Sequence, residues 1–196
     1  MVAIRNLAYA NGAGATNPSA TIREILIADR TYYVRTDGSN SNTGLVNTAG
    51  GAWLTLQFAY DYVCANLDLG GFQVTLQMAD GTYTAGLNAT QPWTGGGSIL
   101  IQGNTGALSN VVIAPSSGPG CIISNTTLPG QLIVDYVKLD GSNTTGPSLG
   151  NIGPGVMIGK HIDFAASADF HVAATAPGSL IKLQTAYTIS GGADGH

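Results

Sequence analysis

Short apolar runs recur along most of this sequence at an almost constant interval. Aliphatic residues of four such runs follow one another at spacings of 23, 23 and 24 positions, at Val111, Val134, Met157 and Ile181. A repeat of this length with no helical pattern inside it is typical of a β-solenoid. Each repeat can bury its apolar side chains only by stacking on its neighbours, so the spacing predicts one three-sided coil of short strands per repeat.

Clusters of Gly, Pro, Asn and Ser separate the apolar runs, and these residues favour turns. Ile99 and Ile122 show the 23-residue interval a further time. A β-sandwich is the alternative, because its turns come about every 8–12 residues and the short-range spacing partly fits that pattern. The longer interval favours the solenoid, and we predict an all-β chain folded as a parallel β-helix. The runs cover residues 99–101, 111–113, 121–123, 132–134, 156–158 and 180–183.

One short helix is predicted ahead of the coils. Thr55 is a suitable N-cap, and the apolar residues after it recur at three- and four-residue spacing. Gly70 and Gly71 are expected to end the helix, since glycine commonly follows a helix C-terminus. The apolar positions of the helix are Leu56, Ala59, Tyr60, Val63 and Leu67.

These patterns divide the chain into three segments. Residues 31–71 form a capping strand, loop and helix, and residues 72–196 form the coils of the solenoid. Residues 1–30 lie outside the periodic pattern. We predict that this N-terminal arm attaches the protein to another chain.

Charged residues make up only 9% of the chain, against about 25% in an average soluble domain. Its seven Lys and Arg are scattered singly and the formal net charge is −4, which excludes a basic surface for nucleic acid. We find no secretory signal and no apolar run long enough to insert into a membrane. Cys64 and Cys121 lie among apolar residues and are predicted to be buried free thiols. No metal or cofactor is predicted, because the known ligand and nucleotide-binding motifs are absent.

Three motifs follow one another in the first half of the chain. They are YYVRTDGSNSNTGL at residues 32–45, GGAWLTLQFAYD at 50–61 and VTLQMADGTY at 74–83. This order resembles the opening of pectate-lyase-like right-handed parallel β-helix proteins of phages and prophages, of the tailspike or tail-fibre type. The resemblance is detailed over residues 31–85 and rests only on the coil spacing over residues 86–196.

The resemblance implies a virion protein, made in the cytoplasm of the bacterial host and often homotrimeric. Such a protein sits on a tail, fibre or baseplate beside other virion proteins. Some members of the family cleave host surface polysaccharide, whereas others only bind or hold it, so the fold alone does not decide the chemistry. The family's solenoid usually continues well beyond the length found here, which implies either an unusually short member or a fragment.

Residues 135–140 offer the best candidates for chemistry. In an unbroken strand Tyr136, Lys138 and Asp140 share one face, while Asp135 lies on the other. Polysaccharide lyases and hydrolases use carboxylates, in some cases with a basic residue, so the catalytic candidates are Asp135, Lys138 and Asp140. Tyr136 is a candidate glycan contact. The alternative is a solvated outer face of one coil that ends in a turn at Asp140.

A second polar group, Lys160, His161 and Asp163, follows about one coil later. Lys138 and Lys160 are therefore expected to stack nearly one above the other. His171 lies close behind, but the spacing matches no known metal-ligand pattern, and we predict scattered surface charges rather than a metal site.

The two tryptophans are expected to differ in role. Trp93 lies between Pro92 and Thr94 in a glycine-rich segment, so we predict that it is exposed and can stack on a sugar ring. Trp53 precedes the helix at a position typical of packing against it.

Three functions remain open after the sequence is read. The first is a structural virion protein attached through residues 1–30, and the second is a depolymerase, acting as a polysaccharide lyase or glycoside hydrolase. The third is a non-catalytic glycan-binding module. The low charge and the lack of a complete catalytic set favour the first.

Overall fold

The computed structural model describes residues 22–193 and shows an all-β chain with one α-helix. Two strands are much longer than the rest, with 11 residues in β10 and 13 in β12. The elements in chain order are β1 (Glu24–Ile25), β2 (Arg30–Val34), α1 (Leu56–Asn66), β3 (Leu67–Asp68), β4 (Gln73–Met78), β5 (Gly81–Tyr83), β6 (Leu87–Ala89), β7 (Ser98–Gln102), a 3-10 helix (Leu108–Asn110), β8 (Val111–Ile113), β9 (Ile122–Ser124), β10 (Gln131–Gly141), β11 (Leu149–Asn151), β12 (Gly155–Ser167), β13 (Val172–Ala174), β14 (Ser179–Gln184) and β15 (Thr188–Ile189).

All strand pairs in the described part of the chain are parallel. The largest sheet has nine strands; its main path runs β14-β12-β10-β7-β4-β2, and β5, β8 and β15 pair alongside. A second sheet runs β13-β11-β9-β6, and β1 pairs with β3. Parallel neighbours cannot be joined by a tight hairpin, so each connection returns the chain to the same end of the sheet before the next strand.

Successive strands of the main path pair at intervals close to one predicted coil. Val74 lies beside Ile99 and Leu132 beside Met157, each 25 positions further on, and Met157 lies beside Ile181 after 24. The step from Ile99 to Leu132 takes 33 positions. This step is longer because residues 103–110 form a loop between β7 and β8. The corresponding part of the paired strand β10 consists of Tyr136 alone.

Three of the residue pairs expected from the 23-residue interval are wrong. Val134 lies beside Gly159 rather than beside Met157. Val111 and Val134 are not partners, since β8 pairs with the later part of β10 through Val112 and Lys138. Ile99 lies in the nine-stranded sheet, whereas Ile122 lies in the four-stranded one. Loops of unequal length change the number of residues between paired strands. A fixed interval in the sequence therefore predicts some of the paired residues but not all of them.

The inward side chains of successive strands form one hydrophobic core. Val74, Ile99, Leu132 and Met157, which are neighbours in the register, are all fully buried. Burial of each such side chain contributes about 1.5–3 kcal/mol relative to exposure. The core therefore depends on the stacking of the strands rather than on contacts within one pass of the chain.

The helix α1 packs against one end of this core. Thr55 accepts a hydrogen bond from the Phe58 N–H at 3.2 Å, which confirms its prediction as the N-cap. The helix ends earlier than expected, at Asn66, and Leu67 already has extended backbone. Gly70, with a φ of +58°, turns the chain after β3 instead of ending the helix.

Trp53 lies at the centre of the cap. Its side chain is buried, its ring stacks on Tyr32 with centroids 4.7 Å apart, and its indole N–H donates to the Asn42 carbonyl, so the predicted packing role is confirmed. The loop between β2 and α1 covers the outer edge of β2, where the Tyr33 N–H donates to the Gly44 carbonyl at 2.8 Å. The first strand of the nine-stranded sheet is thereby bonded on both sides.

The described part of the predicted arm, residues 22–30, contacts the cap through Leu26. Leu26 is buried and its N–H donates to the Asp68 carbonyl at 2.9 Å. Residues 1–21, where most of the predicted attachment segment falls, lie outside the described residues. Both Cys64 and Cys121 are free and buried, as predicted. Over residues 22–193, no helix combines the length and the apolar character needed to cross a membrane.

Candidate functional site

A corner in the two longest strands carries the polar residues predicted from the sequence. Tyr136 in β10 and His161 in β12 have φ values of +55° and +41°, a left-handed backbone that only a few per cent of non-glycine residues adopt. The flanking pairs Asp135–Lys160 and Val137–Ile162 are in register, so the two left-handed residues lie one above the other. Both strands therefore turn at the same level of the stack.

This corner changes which side chains share a face. Val137 and Leu139 are fully buried, whereas Asp135 and Lys138 keep 13% and 29% of their side chains exposed. The prediction that Asp135 lies on the face opposite Lys138 is therefore wrong. The left-handed residue Tyr136 interrupts the alternation of the strand, and it brings all the polar candidates of this segment to the outer surface.

Asp135 and His161 form the closest polar contact at this corner. His161 Nδ1 lies 2.9 Å from Asp135 Oδ1, and the His161 and Tyr136 rings stack at 4.2 Å with 20° between their planes. A carboxylate at Nδ1 favours the tautomer that carries its proton there, which leaves the lone pair on Nε2. Nε2 has no hydrogen-bond partner among residues 22–193, and a third of the His161 side chain is exposed.

Lys138 belongs to a second polar group next to the corner. Its Nζ lies 3.5 Å from Asp163 Oδ2, and the two residues are partners in the register of β10 and β12. Asp163 also accepts hydrogen bonds from the hydroxyls of Thr188 at 2.8 Å and Ser190 at 3.0 Å. The expected stacking of Lys138 on Lys160 is wrong, because the interval between these coils is 25 residues and places opposite charges side by side.

Asp140 and Trp93 lie apart from these contacts. Asp140 Oδ1 accepts a hydrogen bond from the Ser142 N–H at 3.1 Å, the local turn contact offered as the alternative to catalysis. Trp93 is only 3% exposed and its indole N–H donates to the Gly96 carbonyl, so the exposure expected for it is wrong. Its ring packs in the hydrophobic core with no free face for a sugar.

The corner therefore joins a carboxylate-oriented imidazole, an aromatic ring and an ammonium group on one outer surface. Such a set is able to accept a proton and to hold an anionic or hydroxylated ligand. The described residues contain no group of three or more His, Cys, Asp or Glu side chains suited to a metal ion. Sequence reasoning missed the pairing of Asp135 with His161, although a 25-residue step from Tyr136 leads directly to His161.

No protein family, curated protein or solved structure matches this chain. The geometry of the corner and the stacking of the strands therefore carry the functional proposals.

Proposed function

We propose that the parallel sheets are the faces of a right-handed parallel β-helix. The support is the parallel pairing of each strand with the next one along the main path from β4 to β14, at steps of 24 to 33 positions. Right-handed crossovers make up about 98% of connections between parallel strands of one sheet, which favours this hand. An experimental structure at side-chain resolution tests the proposal, and a left-handed path or a chain that does not wind around one core would overturn it.

We further propose that this β-helix is a structural component of a bacteriophage particle, such as a tailspike, a fibre or a tail or neck part, which works beside other virion proteins and contacts the host surface. The observation that carries the proposal is the stack of parallel, hydrogen-bonded strands, whose first strand, β2, is covered by the loop of the cap. Few charges interrupt its surface, since only 9% of the chain is charged. A homotrimer of such rods is part of the proposal.

Particle purification tests this function. Phage particles from an induced lysate are banded in a density gradient, and the fractions are assayed for this protein by mass spectrometry and immunogold labelling. We expect it to band with intact particles, and recovery only from the soluble protein at the top of the gradient would overturn the proposal. Light scattering after size exclusion tests the homotrimer, for which a monomeric mass would be the contrary result.

The corner supports a second candidate function, the cleavage of a host surface polysaccharide. The specific observation is the 2.9 Å contact with Asp135 that orients His161, which lies two residues before Asp163, the partner of Lys138, in β12. Sugar release from capsular polysaccharide and lipopolysaccharide is the assay, and His161→Ala should abolish it while Lys182→Ala, an exposed residue of β14, should not. Absence of release from every substrate, or equal activity in both variants, would overturn this function.

A further inference from the structure

A cleft of about 660 Å³ lies at the capped end of the molecule, formed by β1, β2, the loop after β2 and α1. Its volume falls within the range of small-molecule sites, about 300–1,000 Å³. None of its lining residues belongs to the corner described above. The lining residues that matter here are Glu24, Arg30, Tyr32, Asn42, Leu45 and Tyr62.

One wall of the cleft is a forked ion pair. Arg30 Nη1 donates to Glu24 Oε2 and Arg30 Nη2 to Glu24 Oε1, both at 2.7 Å. The guanidinium lowers the pKa of Glu24, so the carboxylate stays ionised and fixed in place. The two charges offset one another and the remaining lining groups are neutral. A ligand with a net charge would therefore gain little here, whereas a neutral polar ligand finds both donors and acceptors.

The lining next to this ion pair is aromatic and aliphatic. The Tyr32 ring is held by Trp53 on one face and meets the Tyr62 ring edge-on at 5.8 Å. Tyr62 is half-buried, and its hydroxyl has no hydrogen-bond partner within residues 22–193. Leu45, also at the cleft, is 54% exposed. Apolar lining beside fixed polar groups suits a molecule that carries both apolar and hydroxyl-rich surfaces.

The polar groups of the cleft are held in place by contacts with the rest of the protein and with one another. The Asn42 amide nitrogen donates to the carbonyls of Ala49 at 2.9 Å and Ala52 at 2.8 Å, which fixes the orientation of the side chain. The Arg30 guanidinium also contacts the Tyr32 hydroxyl at 3.5 Å. Groups that are fixed before binding lose little conformational entropy when a ligand arrives.

We propose that this cleft binds one or two units of a neutral saccharide. The apolar face of the sugar ring packs on Tyr62 and Leu45, and its hydroxyls bond to the Glu24–Arg30 pair and the Tyr62 hydroxyl. The proposal is independent of the corner and of any cleavage. The proposed structural function gives this cleft no role, and saccharide binding would be a separate one.

Saturation-transfer NMR on the full chain tests the site, with glucose, galactose, mannose, rhamnose and N-acetylglucosamine as the probes. We expect at least one of them to bind with a Kd in the millimolar range. Tyr62→Phe removes only the hydroxyl, and Glu24→Gln removes the charge with little change of shape. Each should raise the Kd about fivefold or more through the loss of a hydrogen bond.

Tyr33→Phe is the matched control, because Tyr33 lies in the same strand β2 but does not line the cleft. Its Kd should equal that of the unaltered chain. Thermal unfolding of each variant separates binding from folding, since a purely structural ion pair would lower the Tm of Glu24→Gln and leave no sugar bound in any variant. No transfer to any of the five sugars, or equal effects of Tyr62→Phe and Tyr33→Phe, would overturn the site. Particle purification does not depend on these sugars, so the two proposals fail separately.

Discussion

Tyr136, His161 and Thr185 each hold a left-handed backbone, with φ values between +41° and +67°. A residue with a Cβ atom loses roughly 1–2 kcal/mol in this conformation. Thr185 follows β14, and its hydroxyl accepts a hydrogen bond from the His161 N–H at 3.2 Å. The three strained residues thus contact one another across neighbouring strands. The packing of the strands offsets the conformational free energy that the left-handed backbone costs.

We expect Thr185→Asn to raise the free energy of unfolding by about 1 kcal/mol. Asn adopts the left-handed region far more readily than a β-branched residue, and its side-chain oxygen is also able to accept a hydrogen bond. Urea denaturation followed by circular dichroism gives the value. Thr175→Asn, at an exposed position with ordinary backbone, is the control and should change it little; a loss of stability in Thr185→Asn would contradict the strain argument.

The buried thiols predict a loss of stability at alkaline pH. Burial raises the pKa of Cys64 to about 11 and that of Cys121 to about 12. In the unfolded chain both thiols ionise near pH 8.5, so above that pH the unfolded state holds fewer protons and is favoured. Stability should therefore fall as pH rises from about 9 to 11, by about 1.4 kcal/mol per pH unit for each thiol at most.

Urea midpoints at pH 8 and pH 10 measure this effect. The double variant Cys64→Ala, Cys121→Ala should show a smaller fall between the two pH values than the unaltered chain. It should not abolish the fall, because burial also raises the pKa of Tyr60 and Tyr83. Identical falls in both proteins would mean that the thiols ionise equally in the folded and unfolded states.

At the scale of elements, neighbouring strands of the nine-stranded sheet and their loops are in close contact. Gly103, which follows β7, donates its N–H to the Asp135 carbonyl at 2.9 Å, and a Cβ atom on it would overlap the Tyr136 carbonyl. The loop after β7 thus lies directly against the corner in β10. Only a residue without a side chain allows the two backbones to approach this closely.

Gly103→Ala should therefore lower the free energy of unfolding by more than about 2 kcal/mol, since neither backbone can move without breaking the ladder. Gly106→Ala is the control in the same loop, because a Cβ there meets nothing closer than 3.4 Å. Its effect should stay within about 0.5 kcal/mol. Chemical denaturation of both variants measures the difference, and equal effects would show that the loop moves freely against the corner.

Local patterns predicted the elements better than their partners. The N-cap at Thr55 and the short helix after it depend on near neighbours, and the structure shows both. The corner at Tyr136 contains no glycine, so the sequence gives no signal for a left-handed residue there. The outward orientation of Asp135 could therefore not be predicted. The candidate site followed the same rule: its residues were named, but the Asp135–His161 contact depends on a register set by loop lengths elsewhere in the chain.

At the scale of the whole molecule, the two edges of the nine-stranded sheet differ. β2 is bonded to β4 on one side and to the cap loop on the other. β14 pairs with β12 on one side only within the described residues. Among the outermost side chains, Leu180 in β14 and Ile189 in β15 are 43% and 59% exposed.

Hydrogen exchange should follow this difference. Amides of β10, which pairs with β7 and β12, are expected to exchange at least about tenfold more slowly than those of β14, because stacked repeats open from an uncovered edge. Exchange measured by mass spectrometry at peptide resolution checks the order. Uniform protection from β4 to β14 would mean that the stack opens as one unit, or that another molecule covers β14.

The parallel ladders also decide how the molecule responds to mechanical load. Hydrogen bonds between the parallel strands join each strand to the next one in the sheet. Tension that pulls the cap away from β14 therefore breaks the bonds of one strand pair at a time. Separation of β14 from β12, or of β12 from β10, would release a segment of 24 or 25 residues, roughly 80 Å of slack chain, whereas the 33-residue step from β7 to β10 would release roughly 110 Å. Tension along the strands acts instead on all the bonds of a ladder together, in shear. We therefore expect the protein to resist load along its strands and to extend in unequal steps when the load separates them.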